Sequence, residues 1–277
     1  MIENIAVVTS PYGHFTLEYA LASIAASGFR HIELWAASPH YCHMDYTQQE
    51  RMARREEIAV QMAEYHLDMP VLYPEQMNKY PLNIASASPY IHSFSMERIF
   101  EYIQDARYFH ADSMLIGTGW YHLDAAGEEK YLRSVESLQR AADFAAEEGV
   151  GLLVEPASPH IGSFAWNLES LRRLLRDVKR DNVKACLDLA RILDENQNVE
   201  DWYNQLDGAV GHIHFAQKGG RTLEADAVPV AQALHRLEKL GYQGTASLHI
   251  TFRDCCLAPD RAVFQSGLWL KEQGFLR

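Results

Sequence analysis

The strongest constraint on the fold of this chain is a regular alternation of short apolar runs with longer amphipathic segments. The apolar runs have the length of buried strands, and the segments between them have the apolar spacing of helices. Strand–helix alternation requires a parallel sheet with right-handed crossovers. Eight such units within 277 residues fit a closed (β/α)8 barrel, and we expect a single barrel domain that spans residues 1–277.

The predicted units follow one another without an internal linker. The predicted strands are Ile5–Thr9, His31–Ala36, Asp68–Tyr73, Ser113–Gly117, the apolar run in Gly149–Pro159 that ends at Glu155, Val183–Asp188, Val210–Phe215 and Thr245–Thr251. The predicted helices are Leu17–Ala26, Gln48–His66, Met96–His110, Glu128–Glu148, Asn167–Asp177, Val199–Leu206, Val228–Leu240 and Asp260–Glu272. The segment Pro74–Ser95 lacks clear periodicity, and loops of that length often cover a functional site.

A doubly wound open sheet is the alternative arrangement of the same units. Such sheets usually carry a glycine-rich phosphate-binding loop after the first strand. Here the first strand is followed by S-P-Y-G-H-F at Ser10–Phe15, which lacks that pattern. The predicted fold class is therefore α/β, a (β/α)8 TIM barrel.

The composition and net charge argue against some classes of protein function. The chain is 48% hydrophobic and carries a formal net charge of −12, so it can bury a core and repels nucleic acid and anionic membranes. The cysteines Cys42, Cys186, Cys255 and Cys256 lack metal-knuckle spacing and indicate reduced thiols. The N-terminal residues contain neither a basic region nor a long apolar run. We expect a cytoplasmic protein with no nucleic-acid or membrane partner.

Metal-capable side chains stand at the ends of the last four predicted strands. They are Glu155, Asp188, His214 and His249. In a parallel barrel the carboxyl ends of neighbouring strands meet at one rim, so we expect these side chains to converge. Two carboxylates and two imidazoles suit one divalent transition ion, namely Mn²⁺, Co²⁺, Zn²⁺ or Fe²⁺, better than Mg²⁺.

Each of these side chains also has a purely structural explanation, which the sequence leaves open. Glu155 could cap the segment that follows it, and Asp188 could cap the helix after strand six. His214 could be held by His212, which shares its strand face. His249 lies between apolar neighbours and could be a hydrogen-bonded core histidine.

Several motifs resemble those of the xylose-isomerase-like barrels, a family that includes sugar epimerases, hydroxypyruvate isomerases and endonuclease IV. The resemblance covers nearly the whole chain and is closest to the fructoselysine 3-epimerase and ketose 3-epimerase branch. It is carried by G-F-R-H-I-E-L-W at Gly28–Trp35, by Y-P-E-Q-M-N-K-Y-P-L-N-I at Tyr73–Ile84, and by V-E-P, L-D-L and G-H-I-H-F at Val154–Pro156, Leu187–Leu189 and Gly211–Phe215.

The resemblance implies a metal held by Glu155, Asp188, His214 and the strand-eight residue. It also implies a two-base epimerisation of a ketose or ketose derivative, fructoselysine-like, with Glu155 and the strand-eight residue as the acid/base groups. Relatives have a Glu at that position, whereas this chain has His249. Because a metal-bound imidazole has its lone pair occupied, a metal-assisted lyase or eliminase acting on a keto sugar with one base is the alternative.

Other positions also depart from the pattern that the resemblance implies. Arg191 stands where relatives have a His, and Ile161 where a substrate-contacting Glu is expected. The expected substrate contacts are Trp35, His122, Arg191, His212 and Arg221. We expect a metal-dependent sugar isomerase or epimerase, with a homo-oligomeric state open. A non-catalytic sugar-binding protein and a DNA-repair endonuclease are the remaining alternatives.

Overall fold

The computed structural model describes residues 2, 4–76, 82–125 and 127–276. Eight parallel strands follow one another in chain order and close into a barrel, which confirms the predicted fold class. The chain divides into two compact units, one made of Met1–Pro70 and Leu187–Arg277 and the other of Val71–Cys186. That the barrel behaves as a single domain stays a prediction.

The strands and helices alternate along the chain. The strands are β1 Ile5–Val8, β2 His31–Ala36, β3 Asp68–Pro74, β4 Ser113–Leu115, β5 Gly151–Val154, β6 Val183–Asp188, β7 Val210–Phe215 and β8 Thr245–Leu248. The helices are α1 Leu17–Ala26, α2 Gln48–Glu64, α3 Pro89–Tyr108, α4 Glu128–Glu148, α5 Leu168–Val178, α6 Leu189–Asp194, α7 Val199–Gln205, α8 Val228–Lys239 and α9 Pro259–Glu272. None of the helices in the described ranges is long and apolar enough to cross a membrane.

Two helices differ from the sequence prediction. Helix α3 begins at Pro89 instead of Met96, because Ser88 caps its first turn and a proline is favourable at the first helical position. The predicted loop is correspondingly shorter, and its residues 77–81 lie outside the described part of the chain. Helix α6 was not predicted, and it begins directly after β6 with Asp188 as its N-cap.

In the first unit, the strands β7, β8, β1 and β2 pair side by side in parallel. All four residues of β1 are buried, as expected for a strand covered on both faces. The register places His212 opposite Thr245 and His214 opposite Ser247 on β8, and Val8 opposite Glu33 on β2. This pairing brings polar side chains of three strands close together inside the first unit.

In the second unit, β3, β4, β5 and β6 pair in parallel. Val71, Leu115, Leu153 and Cys186, one from each strand, form a buried cluster. Helix α4 ends at Gly149, whose φ of 73° belongs to the left-handed region that glycine adopts without strain. This turn starts β5 two residues later, and β5 leads directly to Glu155.

Candidate active site

The two histidines of β7 lie inside the first unit. His212 and His214 are both fully buried, and their ring centroids are 5.1 Å apart at an interplanar angle of 90°. Residues two apart on a strand point to the same side, so this placement follows from the strand itself. The expectation that His212 and His214 share a face is confirmed by this geometry, and a third residue joins them.

That third residue is Glu33 of β2, which is also fully buried. Its Oε2 is 3.0 Å from His212 Nε2, and its Oε1 is 2.9 Å from His214 Nε2. Burial alone raises the pKa of Glu33, but the adjacent imidazoles of His214 and His212 hold that pKa well below its usual value. Glu33 is therefore an ionised acceptor between two imidazole donors.

Sequence reasoning did not single out Glu33 as a site residue. The available signal was a carboxylate between Ile32 and Leu34, in the middle of a predicted strand. A charged side chain is rarely fully buried unless it is paired. A mid-strand carboxylate with buried apolar neighbours therefore indicates a specific buried partner.

His249 follows β8 directly and lies beside His214. Their ring centroids are 4.5 Å apart at an interplanar angle of 63°, and the backbone N–H of His249 donates to Phe215 O at 2.8 Å. Leu248 and Ile250 are buried, whereas His249 itself is only half-buried. His249 is therefore not the fully buried core histidine that the sequence allowed.

Asp188 is both the last residue of β6 and the N-cap of α6. Its Oδ1 accepts a hydrogen bond from the backbone N–H of Arg191 at 3.2 Å, so the capping explanation is confirmed. A carboxylate has about four acceptor positions, and this capping bond uses one of them. The Arg191 guanidinium pairs with Glu195 along α6, at 3.0 Å from Nε to Oε1.

Glu155 follows β5 in the second unit and is half-buried. Its Oε1 lies 4.0 Å from the Cys186 thiol of β6. The short helical turn after it, Pro159–Ile161, is capped by Ser158, so Glu155 does not cap that turn. Capping of this turn therefore does not explain the carboxylate at position 155.

Glu155 lines an open cleft in the second unit. Leu115, Ile116 and Ile161 give this cleft an apolar wall. Gln76 also lines the cleft, but it binds backbone groups: Nε2 donates to Leu115 O at 3.2 Å, and Oε1 accepts from Gly117 N at 3.0 Å. The buried indole nitrogen of Trp120 has no hydrogen-bond partner among the described residues.

The residues predicted to contact substrate lie at different places. His122 is exposed, with its ring 5.6 Å from that of Trp120 in the second unit. Trp35 in β2 is half-buried, and its ring packs so closely on Gly13 that a Cβ there would lie 3.2 Å from Trp35 Cζ3. Arg221 is exposed and donates from Nε to Lys218 O at 3.0 Å.

His212 is a correction to the predicted substrate contacts. Its Nε2 faces Glu33, and its Nδ1 is 2.6 Å from Thr245 Oγ1. The ring is fully buried and both nitrogens are engaged, so a direct contact with substrate does not fit this geometry. The physical reason is the pairing of β7 with β8, which sets Thr245 beside His212.

Comparisons with known proteins extend these observations. A family model described as a xylose isomerase-like TIM barrel matches residues 21–273. Fructoselysine 3-epimerase from Shigella flexneri is 19% identical over 248 residues, which cover 87% of this chain and 88% of that protein.

Solved structures of sugar epimerases share the fold of this chain. A D-psicose 3-epimerase from Clostridium cellulolyticum H10, crystallised with D-tagatose, superposes with a TM-score of 0.80 at 15% identity and covers 99% of both chains. An L-ribulose 3-epimerase superposes with a TM-score of 0.78 at 17% identity and covers 98% of this chain and 94% of its own. At such identities the likeness shows a common fold.

Proposed function

Because this chain belongs to the xylose isomerase-like TIM barrel family, we propose that it is an isomerase that epimerises a ketose or a ketose derivative. The relative and the solved structures named above are sugar epimerases. The observation that carries the proposal is the placement of His214 and His249 side by side, with Asp188 at the end of β6. Glu155 follows β5, so these side chains stand at or next to the ends of four consecutive strands of the closed barrel.

The residues present fit a divalent transition ion. Two imidazoles and two carboxylates would hold it: His214, His249, Asp188 and Glu155. This mixed nitrogen and oxygen set suits Mn²⁺, Co²⁺, Zn²⁺ or Fe²⁺. The half-buried position of His249 beside His214 supports this assignment. Such an ion would act as a Lewis acid on the carbonyl of the sugar, which makes the adjacent C–H bond more acidic.

Glu155 is the proposed base. It is half-buried at the edge of a cleft whose wall includes Leu115 and Ile161, so a substrate in that cleft displaces water from around the carboxylate. Glu155 would take the proton from the carbon next to the carbonyl, for which it must come within hydrogen-bond reach of that proton. Glu155 would also serve as a ligand through its other oxygen.

His249 would complete the ligand set or return the proton on the opposite face. The substitution of His for a second carboxylate also favours one alternative, a lyase or eliminase on a keto sugar. Such a reaction needs one base, and an imidazole occupied by an ion cannot accept a proton at the same nitrogen. The fructoselysine-like substrate, which comes from the name of the curated relative, belongs to the same proposal.

Proton exchange tests the proposed function directly. The protein is incubated in D₂O with Mn²⁺ or Co²⁺ and with fructoselysine, psicose, tagatose or ribulose, and the products are followed by NMR. Deuterium incorporation with interconversion of epimers is the expected result. Cleavage of the substrate would favour the lyase, and binding without either reaction would favour a sugar-binding protein.

A matched pair of variants makes the exchange experiment specific to the site. Asp188→Asn is expected to reduce exchange strongly, because it weakens a ligand. Asp181→Asn changes an exposed aspartate that precedes the same strand and should leave exchange unchanged. Equal activity of both variants would refute the assigned site.

The remaining expectations concern nucleic-acid and membrane partners, cellular location and oligomeric state. A formal net charge of −12 opposes the approach of a phosphate backbone, so a DNA-repair activity is the less favoured alternative. A cytoplasmic location, a homo-oligomeric state and the absence of nucleic-acid and membrane partners stay predictions.

A further inference from the structure

We propose that Glu75 is the second acid/base group of the reaction, and that it returns a proton to the substrate carbon on the face opposite Glu155. This inference rests on the proposed epimerisation, and it does not require His249 to carry a proton. Glu75 directly follows β3 and is half-buried. Both glutamates line the same open cleft of the second unit.

The register of three neighbouring strands sets the two carboxylates level with each other. Leu72 of β3 pairs with Met114 of β4, and Met114 pairs with Leu152 of β5. Continued by three residues along each strand, this register sets a further row of three residues, namely Glu75, Gly117 and Glu155. The residue between the two glutamates is thus a glycine, which places no side chain between them.

Alternation along the strands turns both carboxylates to the same side of the sheet. Side chains two residues apart on a strand share a face, so Glu75 lies on the face of Tyr73. By the same rule, Glu155 lies on the face of Leu153. Leu153 belongs to the buried cluster of the second unit, and Tyr73 packs against this cluster. The two carboxylates therefore face the same space, as their shared cleft requires.

The backbone that carries Glu75 is held in place by the next residue, Gln76. Its Nε2 donates to Pro74 O at 3.3 Å and to Leu115 O at 3.2 Å. Its Oε1 accepts from Gly117 N at 3.0 Å. These bonds join the end of β3 to the end of β4 and fix the chain around position 75. A catalytic group needs such fixation, because a misplacement of about 1 Å can cost about 10²-fold in rate.

The spacing suits a carbon atom that lies between two acid/base groups. Neighbouring strands lie about 4.8 Å apart, so the backbones of β3 and β5 are separated by about 10 Å. Each carboxylate oxygen must come within about 3 Å of the carbon that exchanges its proton, so the two oxygens need a separation of about 6 Å. Two glutamate side chains that lean toward each other above Gly117 can span this difference.

The proposed proton transfers balance over one turnover. Glu155, as a carboxylate, takes the proton from the carbon next to the carbonyl, and the electron pair of the broken C–H bond enters an enediolate. Glu75, as a carboxylic acid, then gives its proton to the other face of that carbon. Glu155 ends protonated and Glu75 ionised, and the loss of one proton to water and the gain of another restore both groups. In the reverse direction the two residues exchange roles.

Glu75→Gln distinguishes a proton donor from a residue that only holds the substrate. The variant and the wild type are supplied with Co²⁺ or Mn²⁺ and with psicose or its C3 epimer fructose in D₂O. We expect epimerisation by Glu75→Gln to fall about 10²–10⁴-fold, which is the usual contribution of such a group. The epimer whose C3 proton faces Glu155 should still exchange that proton for deuterium. Glu155→Gln should instead lose the exchange of this epimer.

Two further variants and the kinetic constants make the result specific. Glu75→Asp keeps a carboxyl group and should recover part of the epimerisation. Glu147→Gln changes an exposed glutamate of α4 and should behave as the wild type. If Glu75 only bound a hydroxyl or an ammonium group of the substrate, Glu75→Gln would raise KM and would slow exchange and epimerisation equally. That result would show the proposal to be wrong.

The outcomes separate this role from the proposed function. If the wild type neither converts nor exchanges any of the ketoses, the proposed function fails and takes this role with it. If the wild type epimerises and Glu75→Gln does so at an unchanged rate, Glu75 is not the second group and the proposed function stands. Should Glu75→Gln fail to fold, the wild type decides. Psicose deuterated at C3 should then yield fructose with solvent hydrogen at C3, and deuterium carried into the product would overturn the proposal.

Discussion

Replacing Glu155 by Gln is the sharpest test of the proposed chemistry. The amide keeps the shape of the side chain at the edge of the cleft, and it keeps an oxygen that can bind an ion. It removes the basic oxygen that takes the proton. General-base catalysis contributes about 10²–10⁴-fold, so proton exchange should fall by that factor. This range corresponds to an increase of about 3–5 kcal/mol in the activation free energy.

The structure explains why a large effect is expected from this change. Oε1 of Glu155 lies 4.0 Å from the Cys186 thiol, which is a weak donor. The polar side chain of Gln76 in the same cleft is bound to backbone groups, so it is poorly placed to replace the base.

The assay is deuterium exchange into a ketose at saturating metal, followed by NMR, with metal content measured in parallel. Retained metal with lost exchange identifies Glu155 as the base. Loss of both metal and exchange shows that Glu155 acts mainly as a metal ligand. Glu169→Gln, which changes an exposed glutamate in the first turn of α5, is the control and should exchange at the wild-type rate. A near-normal rate for Glu155→Gln would refute the assignment of Glu155 to catalysis.

Three further predictions concern the metal, the strand-eight residue and the fold. Elemental analysis should find about one transition ion per wild-type chain, and the double variant Asp188→Ala with His214→Ala should lose it; unchanged content would place the ion elsewhere. His249→Glu should retain or raise ketose proton exchange if His249 only replaces a family carboxylate. Loss of the native reaction would instead indicate that His249 was adopted for another chemistry. Gly149→Ala should lower the free energy of unfolding by about 1 kcal/mol in urea titrations, because its φ of 73° is unfavourable for alanine.

Most of the fold could be predicted because its signals are local. The bounds of β2, β6, β7, α1 and α4 agree with the sequence prediction. Apolar periodicity and helix-ending glycines such as Gly149 determine these elements within a few residues. Helix α6 escaped prediction because six residues are too few to show a helical period. The start of α3 depended on Ser88 and Pro89, a capping signal that the unclear periodicity around it obscured.

The site residues likewise differ in how far the sequence alone could predict them. The proposed ligands could be named from the sequence, since they stand at or next to the ends of consecutive strands of a parallel barrel. Glu33 could not, because its role depends on contact with His212, which is 179 residues away along the chain. The pairing of β1 with both β2 and β8, and of β8 with β7, creates that contact. No pattern around Glu33 in the sequence specifies its partner.

The positions of Glu33 and His249 bear on which residue of the site can act as the base. Oε1 of Glu33 lies 2.9 Å from Nε2 of His214, and the ring of half-buried His249 lies 4.5 Å from that of His214. If an ion engages both rings, Glu155 becomes the main candidate base, and the reaction must return the proton by another group or expel a leaving group. The choice between epimerase and lyase thus depends on whether His249 is coordinated. Metal affinity and proton exchange measured together on His249→Glu bear directly on that choice.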